Sequence, residues 1–148
     1  MPIKSFKGLL ANGGQETINL HTNNGSIGYR IKKFQVISQA PGDAAVDLVM
    51  KVYKIEQTTV PSTGATIDLS DNTLLAVAHY SAATATFSQD TTIIFDNEVF
   101  NQDIYVTLTD NDGNDSCNYY IELEQVRLSL DENTVATLKD IRNIKSNS

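Results

Sequence analysis

The chain predicts an all-β fold: an antiparallel β-sandwich, jelly-roll-like or Greek key, of about eight to nine strands. Three observations point there. Short runs rich in Val, Ile, Thr, Tyr and Phe alternate with Asn, Asp, Gly and Pro clusters. Within those runs apolar residues recur at every second position, as on a half-buried strand. Two of the longest runs change parity partway, which marks an extra residue in a strand.

The runs read as strands are 4–10, 16–21, 26–38, 45–56, 66–69, 74–80, 91–95, 104–109 and 118–130. Asn12-Gly13-Gly14 separates the first two and Asn24-Gly25 the next two. Asn24 and Gly25 both tolerate the positive φ that a tight type I′ hairpin needs. Pro41-Gly42-Asp43 suits a type II or related turn, Pro61-Ser62-Thr63-Gly64 opens a further connection, and residues 110–115 make the last. Short turns between successive strands imply antiparallel neighbours. Val46, Leu48, Met50 and Val52 share one face of the fourth run, and Ile104, Val106 and Leu108 one face of the eighth. Ile27, Tyr29 and Ile31 give way to Phe34 and Val36 across Lys32-Lys33. Tyr119, Ile121 and Leu123 give way to Val126, Leu128 and Leu130 across Gln125. A β-bulge near each break is expected, and bent strands of this kind pass from one sheet of a sandwich to the other. Residues 81–90 fit either a weak edge strand or a loop. Asp131 caps a segment, Glu132–Asn143, in which Val135, Leu138 and Ile141 recur at threes. This predicts a short C-terminal helix or docked arm, with a frayed end after it. With 148 residues, no repeat and no long linker, residues 1–148 form a single domain, of which 131–148 are the tail.

Composition narrows the function. A net charge of −7 opposes a nucleic-acid surface, because such affinity comes from Lys and Arg neutralising phosphates. No apolar run is long enough to span a bilayer, so no membrane partner is expected. Cys117 is the single cysteine, which excludes an intrachain disulfide. With no signal-peptide pattern, this predicts folding in a cytoplasm.

Catalytic motifs are missing: there is no phosphate loop, dinucleotide glycine pattern or nucleophile elbow. His21 and His79 stand alone on separate runs, and Glu122 and Glu124 read as a solvated strand face. Cys117 has no neighbouring cation to activate its thiol. The chain is therefore read as non-enzymatic. One loop carries candidate metal ligands. Asp110, Asp112 and Asp115 are hard oxygen donors around Gly113, which is calcium-type chemistry, although the spacing departs from an EF-hand and a plain Asx-rich turn is the better fit. No other cofactor is expected. Tyr105, Tyr119 and Tyr120 are candidates for an interaction surface, since aromatics are enriched at such sites.

The segments Thr66–Leu75, Phe95–Tyr105 and Asn133–Asn143 resemble those of small structural virion proteins of marine tailed bacteriophages, a likeness spanning roughly residues 30–143. The resemblance implies a head decoration (cement) protein or a small tail component, made in the host cytoplasm and located in the virion. It implies capsid or other virion proteins as partners, and self-association, often as a homotrimer. It brings no catalytic residues. A ligand-binding β-sandwich such as a carbohydrate-recognition module is the other class the composition allows.

Overall fold

The computed structural model describes residues 2–22, 25–41, 46–82 and 89–129. Eight strands run in the order β1 (Ile3–Leu10), β2 (Gln15–Ile18), β3 (Ile27–Ser38), β4 (Val46–Tyr53), β5 (Leu74–Ala82), β6 (Gln89–Phe95), β7 (Ile104–Asp110) and β8 (Cys117–Arg127). They form two antiparallel sheets, β1-β8-β3 and β2-β7-β4-β5-β6. The expected all-β sandwich is thus the observed one. The pairs β1/β8, β2/β7 and β4/β5 are those of a hairpin rolled up on itself, as in a jelly roll. The remaining pair of that scheme, β3 with β6, is not a ladder. β6 stays beside β5, and β3 meets it only across the sandwich.

The core lies between the sheets. Leu48, Met50, Val52, Ile104, Val106 and Leu108 come from one inner face, and Ile31, Phe34, Tyr119, Ile121 and Leu123 from the other. Each residue sits on the face its alternation predicts.

The turns behave differently from expectation. Gly13 and Gly25 do take positive φ, 79° and 64°. Yet the strands they join, β1 to β2 and β2 to β3, lie in different sheets. These turns are arches across the sandwich, not hairpins. Among successive strands, only β4/β5 and β5/β6 pair as sequence neighbours. A compact turn fixes the direction of the chain, but not whether the next strand bonds to the last or folds over it.

The bulge expected at Lys32-Lys33 is present: the β3–β8 register shifts between Ile31 and Lys33. It does not carry β3 into the other sheet. The extra residue keeps Ile27, Tyr29 and Ile31 on the same inner face as Phe34, while β8 pairs with β3 along its whole length. The second expected bulge is absent. β8 keeps an unbroken register with β3 from Leu123 through Gln125 to Arg127, where it stops. Leu128 follows the strand and packs over Gly28, where an added Cβ would lie 2.8 Å from Val99 and 3.1 Å from Leu128. Residues 81–82 close β5 and 89–90 open β6. The predicted C-terminal helix or arm, 132–143, lies outside the described residues.

The predicted strand 66–69 does not form. It belongs to a long strap, residues 54–73, that joins β4 to β5 over the outer face of the five-stranded sheet. Strap atoms take partners from the sheet and its ends. Gln15 exchanges two hydrogen bonds with Gln57, at 3.0 and 2.9 Å, and Thr109 Oγ1 donates to Pro61 O at 2.7 Å. Asn12 Nδ2 donates to Ser62 O at 2.9 Å and Ala65 N to Asn111 Oδ1 at 2.8 Å. Bonds to such scattered partners leave no ladder for a strand to join. The strap buries Thr107 and Thr109, which alternation places on the solvent side of β7.

The start of the strap is pinned by charge. Lys54, whose side chain is 1% exposed, bonds Glu98 Oε1 at 2.8 Å. Removing one member of a buried pair costs about 3 kcal/mol, because the other charge stays behind. Lys54→Met is therefore expected to lower the urea midpoint by that stability, and Lys54→Met with Glu98→Leu to regain most of it. A double variant no more stable than the single one would show that the pair's charge is not what matters.

Candidate functional site

The candidate metal loop is built around one carboxylate. Asp110 closes β7 and is fully buried. Its Oδ1 accepts the backbone N–H groups of Asp47 and Asp112, each at 3.1 Å, and its Oδ2 accepts that of Asp115 at 3.0 Å. Burial alone would raise its pKa. The amides of Asp115, Asp47 and Asp112 outweigh burial, and the group is held below the usual carboxylate range. Around it a polar knot joins four segments. Asp110 N donates to Asn12 Oδ1 at 2.8 Å, and Asn12 reaches Ser62, Gly113 and Asn114. Asn111 N donates to Asp47 O at 2.9 Å. The loop expected to offer three ligands thus has its first carboxylate committed to main-chain donors. Asp112 meets it through its N–H group, and Asp115 through its N–H group and its side chain. Among the described residues no three His, Cys, Asp or Glu side chains gather as a cation cage. What the arrangement does is tie the β1–β2 turn, the strap, β4 and the β7–β8 loop together at one end of the sandwich.

The three candidate tyrosines are not brought together. Tyr119 points into the core, where an added Cβ on Gly8 would lie 2.9 Å from its ring. The glycine lets the ring lie across β1, and the phenol hydrogen-bonds Glu16; burial foremost, and then Glu16, raise its pKa. Tyr120 faces outward, donating to Glu122 Oε1 at 2.8 Å beneath Lys33, whose Nζ is 5.9 Å from the ring centre. Tyr105 lies on the other sheet, opposite Tyr53 and Thr17.

Glu122 and Glu124 share the outer face of β8. Glu124 is held by Arg30 at 2.6 Å and Lys32 at 3.6 Å. Cys117 is buried, and that burial pushes its thiol up to about 12, so it carries no thiolate near neutral pH. The histidines each meet an aspartate distant in sequence: His21 Nδ1 lies 2.7 Å from Asp103, and His79 Nε2 2.5 Å from Asp47. Nothing local signals these pairs, whose members lie 82 and 32 residues apart in the chain.

The structure adds a feature the candidate residues did not include. On the outer face of the three-stranded sheet, register places Leu9 and Ile37 on either side of Asn118, Lys7 and Gln35 on either side of Tyr120, and Ile3 beside Glu124. Ile3, Leu9 and Ile37 are 50%, 47% and 63% exposed. Between Leu9, Ile37 and Tyr120 runs an open groove of about 470 Å³. The face ends in two edge strands. Among the described residues β1 has a ladder on one side only, and β3 carries on its far side the isolated bridge Tyr29–Phe100.

No protein-family model and no curated protein matches the chain. Among solved structures, it is similar to one described as Bacillus endospore appendages, a family of disulfide-linked pili, at 9% identity and a TM-score of 0.34, covering 86% of this chain and 89% of that one. It is also similar to the tailspike protein of the Acinetobacter baumannii bacteriophage Fri1, a capsular polysaccharide depolymerase. There the identity is 6% and the TM-score 0.19, over 76% of this chain and 21% of that one. Likenesses at these scores leave the functional reading to the chain's own surfaces.

Because Asp110 is held low in the folded state, it contributes stability above the usual carboxylate range and loses it as pH falls through its own lowered pKa. Asp110→Ala strands three part-buried donors and is expected to cost about 3 kcal/mol, a fall in Tm of roughly 10 °C. Asp110→Asn, which keeps one acceptor oxygen, is expected to cost less and to flatten the acid limb of a Tm-against-pH curve. An unchanged acid limb in Asp110→Asn would remove Asp110 as its cause.

Proposed function

We propose that the chain is a non-enzymatic assembly protein, and that its place of assembly is the virion of a tailed bacteriophage, where it decorates or cements the capsid through protein–protein contacts. The observation that carries the reading is the outer face of the three-stranded sheet. It presents Ile3, Leu9 and Ile37 to solvent on a rigid platform between two edge strands. Exposed apolar side chains gathered on one face mark an interaction surface, and unpaired strand edges can extend a partner's sheet. The opposite wall differs: the strap covers much of it. The unreactive Cys117 and the committed Asp110 carboxylate support a binding role over a chemical one. The virion assignment follows the resemblance of the three segments quoted above.

Mass spectrometry of purified virions tests the location; this chain is expected at a copy number that is a simple multiple of the shell's symmetry. Its absence from intact particles would end the virion reading. Ile37→Asp, at an exposed position, is expected to leave Tm within about 2 °C of the parent, as surface substitutions usually do. It is also expected to reduce binding to isolated shells lacking the protein by at least roughly tenfold, measured by co-sedimentation. Undiminished binding would move the contact off this face.

A further inference from the structure

The charges of the described residues are segregated between the sheets. Lys4, Lys7, Arg30, Lys32, Lys33 and Arg127 all belong to β1, β3 and β8, whose carboxylates are Glu122 and Glu124. Elsewhere among the described residues the basic side chains are Lys51 and Lys54, set against many carboxylates. Lys54 is buried on Glu98, and Lys51 donates to Thr66 O beneath the strap. By register Lys4 and Arg127 lie on the inner side, level with Leu123 and Ile27, so the outer face carries Lys7, Arg30, Lys32 and Lys33 against Glu122 and Glu124, a small cationic excess on a chain of net charge −7.

A second exposed apolar patch lies on the acidic side. Ile94, on the outer side of β6, is 46% exposed, and Ile67 and Leu69 of the strap 44% and 63%. Leu69, Leu74, Ile94, Phe95 and Asp96 line an open groove of about 200 Å³. Asp68 and Asp71 flank Leu69 in the chain. Two patches thus match in kind and oppose in sign. One holds Leu9, Ile37 and Tyr120 among Lys7 and Lys33; the other holds Leu69 and Ile94 among Asp68 and Asp96.

We infer that the partner of the cationic face is a second copy of this chain, presenting the acidic groove between its strap and β6. The inference rests on the assembly reading above and gives it an occupant. Opposite fields steer encounter and fix orientation, while the apolar residues supply the buried contact. Because the patches lie on different sheets, the contact is heterologous: each copy uses one patch and leaves the other free. Such contacts close into rings or extend as filaments.

Analytical ultracentrifugation of the full chain tests this with two variants. Lys7→Glu/Lys33→Glu reverses the cationic patch, and Leu69→Lys/Asp96→Lys reverses the acidic one. The parent is expected to form species beyond a dimer, and raising salt from 50 to 500 mM to weaken association about tenfold. Each variant alone is expected to stay monomeric. Mixed at equal concentration, they are expected to associate, since the intact acidic patch of one meets the intact cationic patch of the other. Ile37→Asp and Ile94→Asp give a second pair with smaller changes, should either double variant fail to fold by circular dichroism. A parent that stays monomeric at all concentrations and salts overturns the inference. So does association of either variant at parental strength, which points to a self-complementary or unrelated contact. Virion content does not depend on either result, so that reading fails or stands separately; shell binding through Ile37 shares the face, and the Leu69→Lys/Asp96→Lys variant, which leaves that face intact, tells the two contacts apart.

Discussion

The molecule depends on β8 lying between β1 and β3. Those two strands have no ladder with each other, so the smaller sheet exists only because one strand bonds to both. That position makes two demands on β8. Its inner residues, Cys117, Tyr119, Ile121 and Leu123, must be apolar over the full width of the core. Its partners must keep register with it, and the longer of them can do so only with one surplus residue. The bulge at Lys32 is how β3 meets that demand without turning its apolar side to water. The rest follows from the rolled topology: β7 takes the equivalent place between β2 and β4, and the tight turns become arches.

Much of this was legible in the residues. Alternation along 46–52 and 104–108 identified inner faces correctly, and the change of parity at Lys32-Lys33 located the bulge. Two things were not legible. A glycine turn specifies local φ, while the partner of the following strand is chosen by packing at long range, so the arches read as hairpins. Parity in the last run changed because the strand ended: Leu128 left the ladder to cover Gly28, and periodicity cannot tell an ending from an insertion. The run 66–69 has strand-forming residues, but its backbone partners are scattered side chains and carbonyls on other elements, invisible in a local window.

The candidate site divides in the same way. An acidic loop was visible at 110–115, but its use was not, since the donors that occupy Asp110 include the amide of Asp47 far along the chain. The tyrosines were grouped by type, whereas adjacent positions on a strand face opposite ways, which separates Tyr119 from Tyr120. A signal for the exposed face was nevertheless present. A strand can bury only alternate side chains, so each adjoining apolar pair, Leu9-Leu10 and Val36-Ile37, obliges one member to face outward. In both pairs that member is now seen on the open face.

The strap has a further consequence. Its apex is clamped on either flank: Ser62 by Asn12, and Ala65 by Asn111. Between those clamps Gly64 takes a positive φ of 75°, and a side chain built there would meet nothing within 4 Å. Chain added at that point would loop into solvent while the clamps held the remainder in place. The sandwich thus carries its own insertion port, a position where a tag, an epitope or a whole small domain could be displayed without asking either sheet to move.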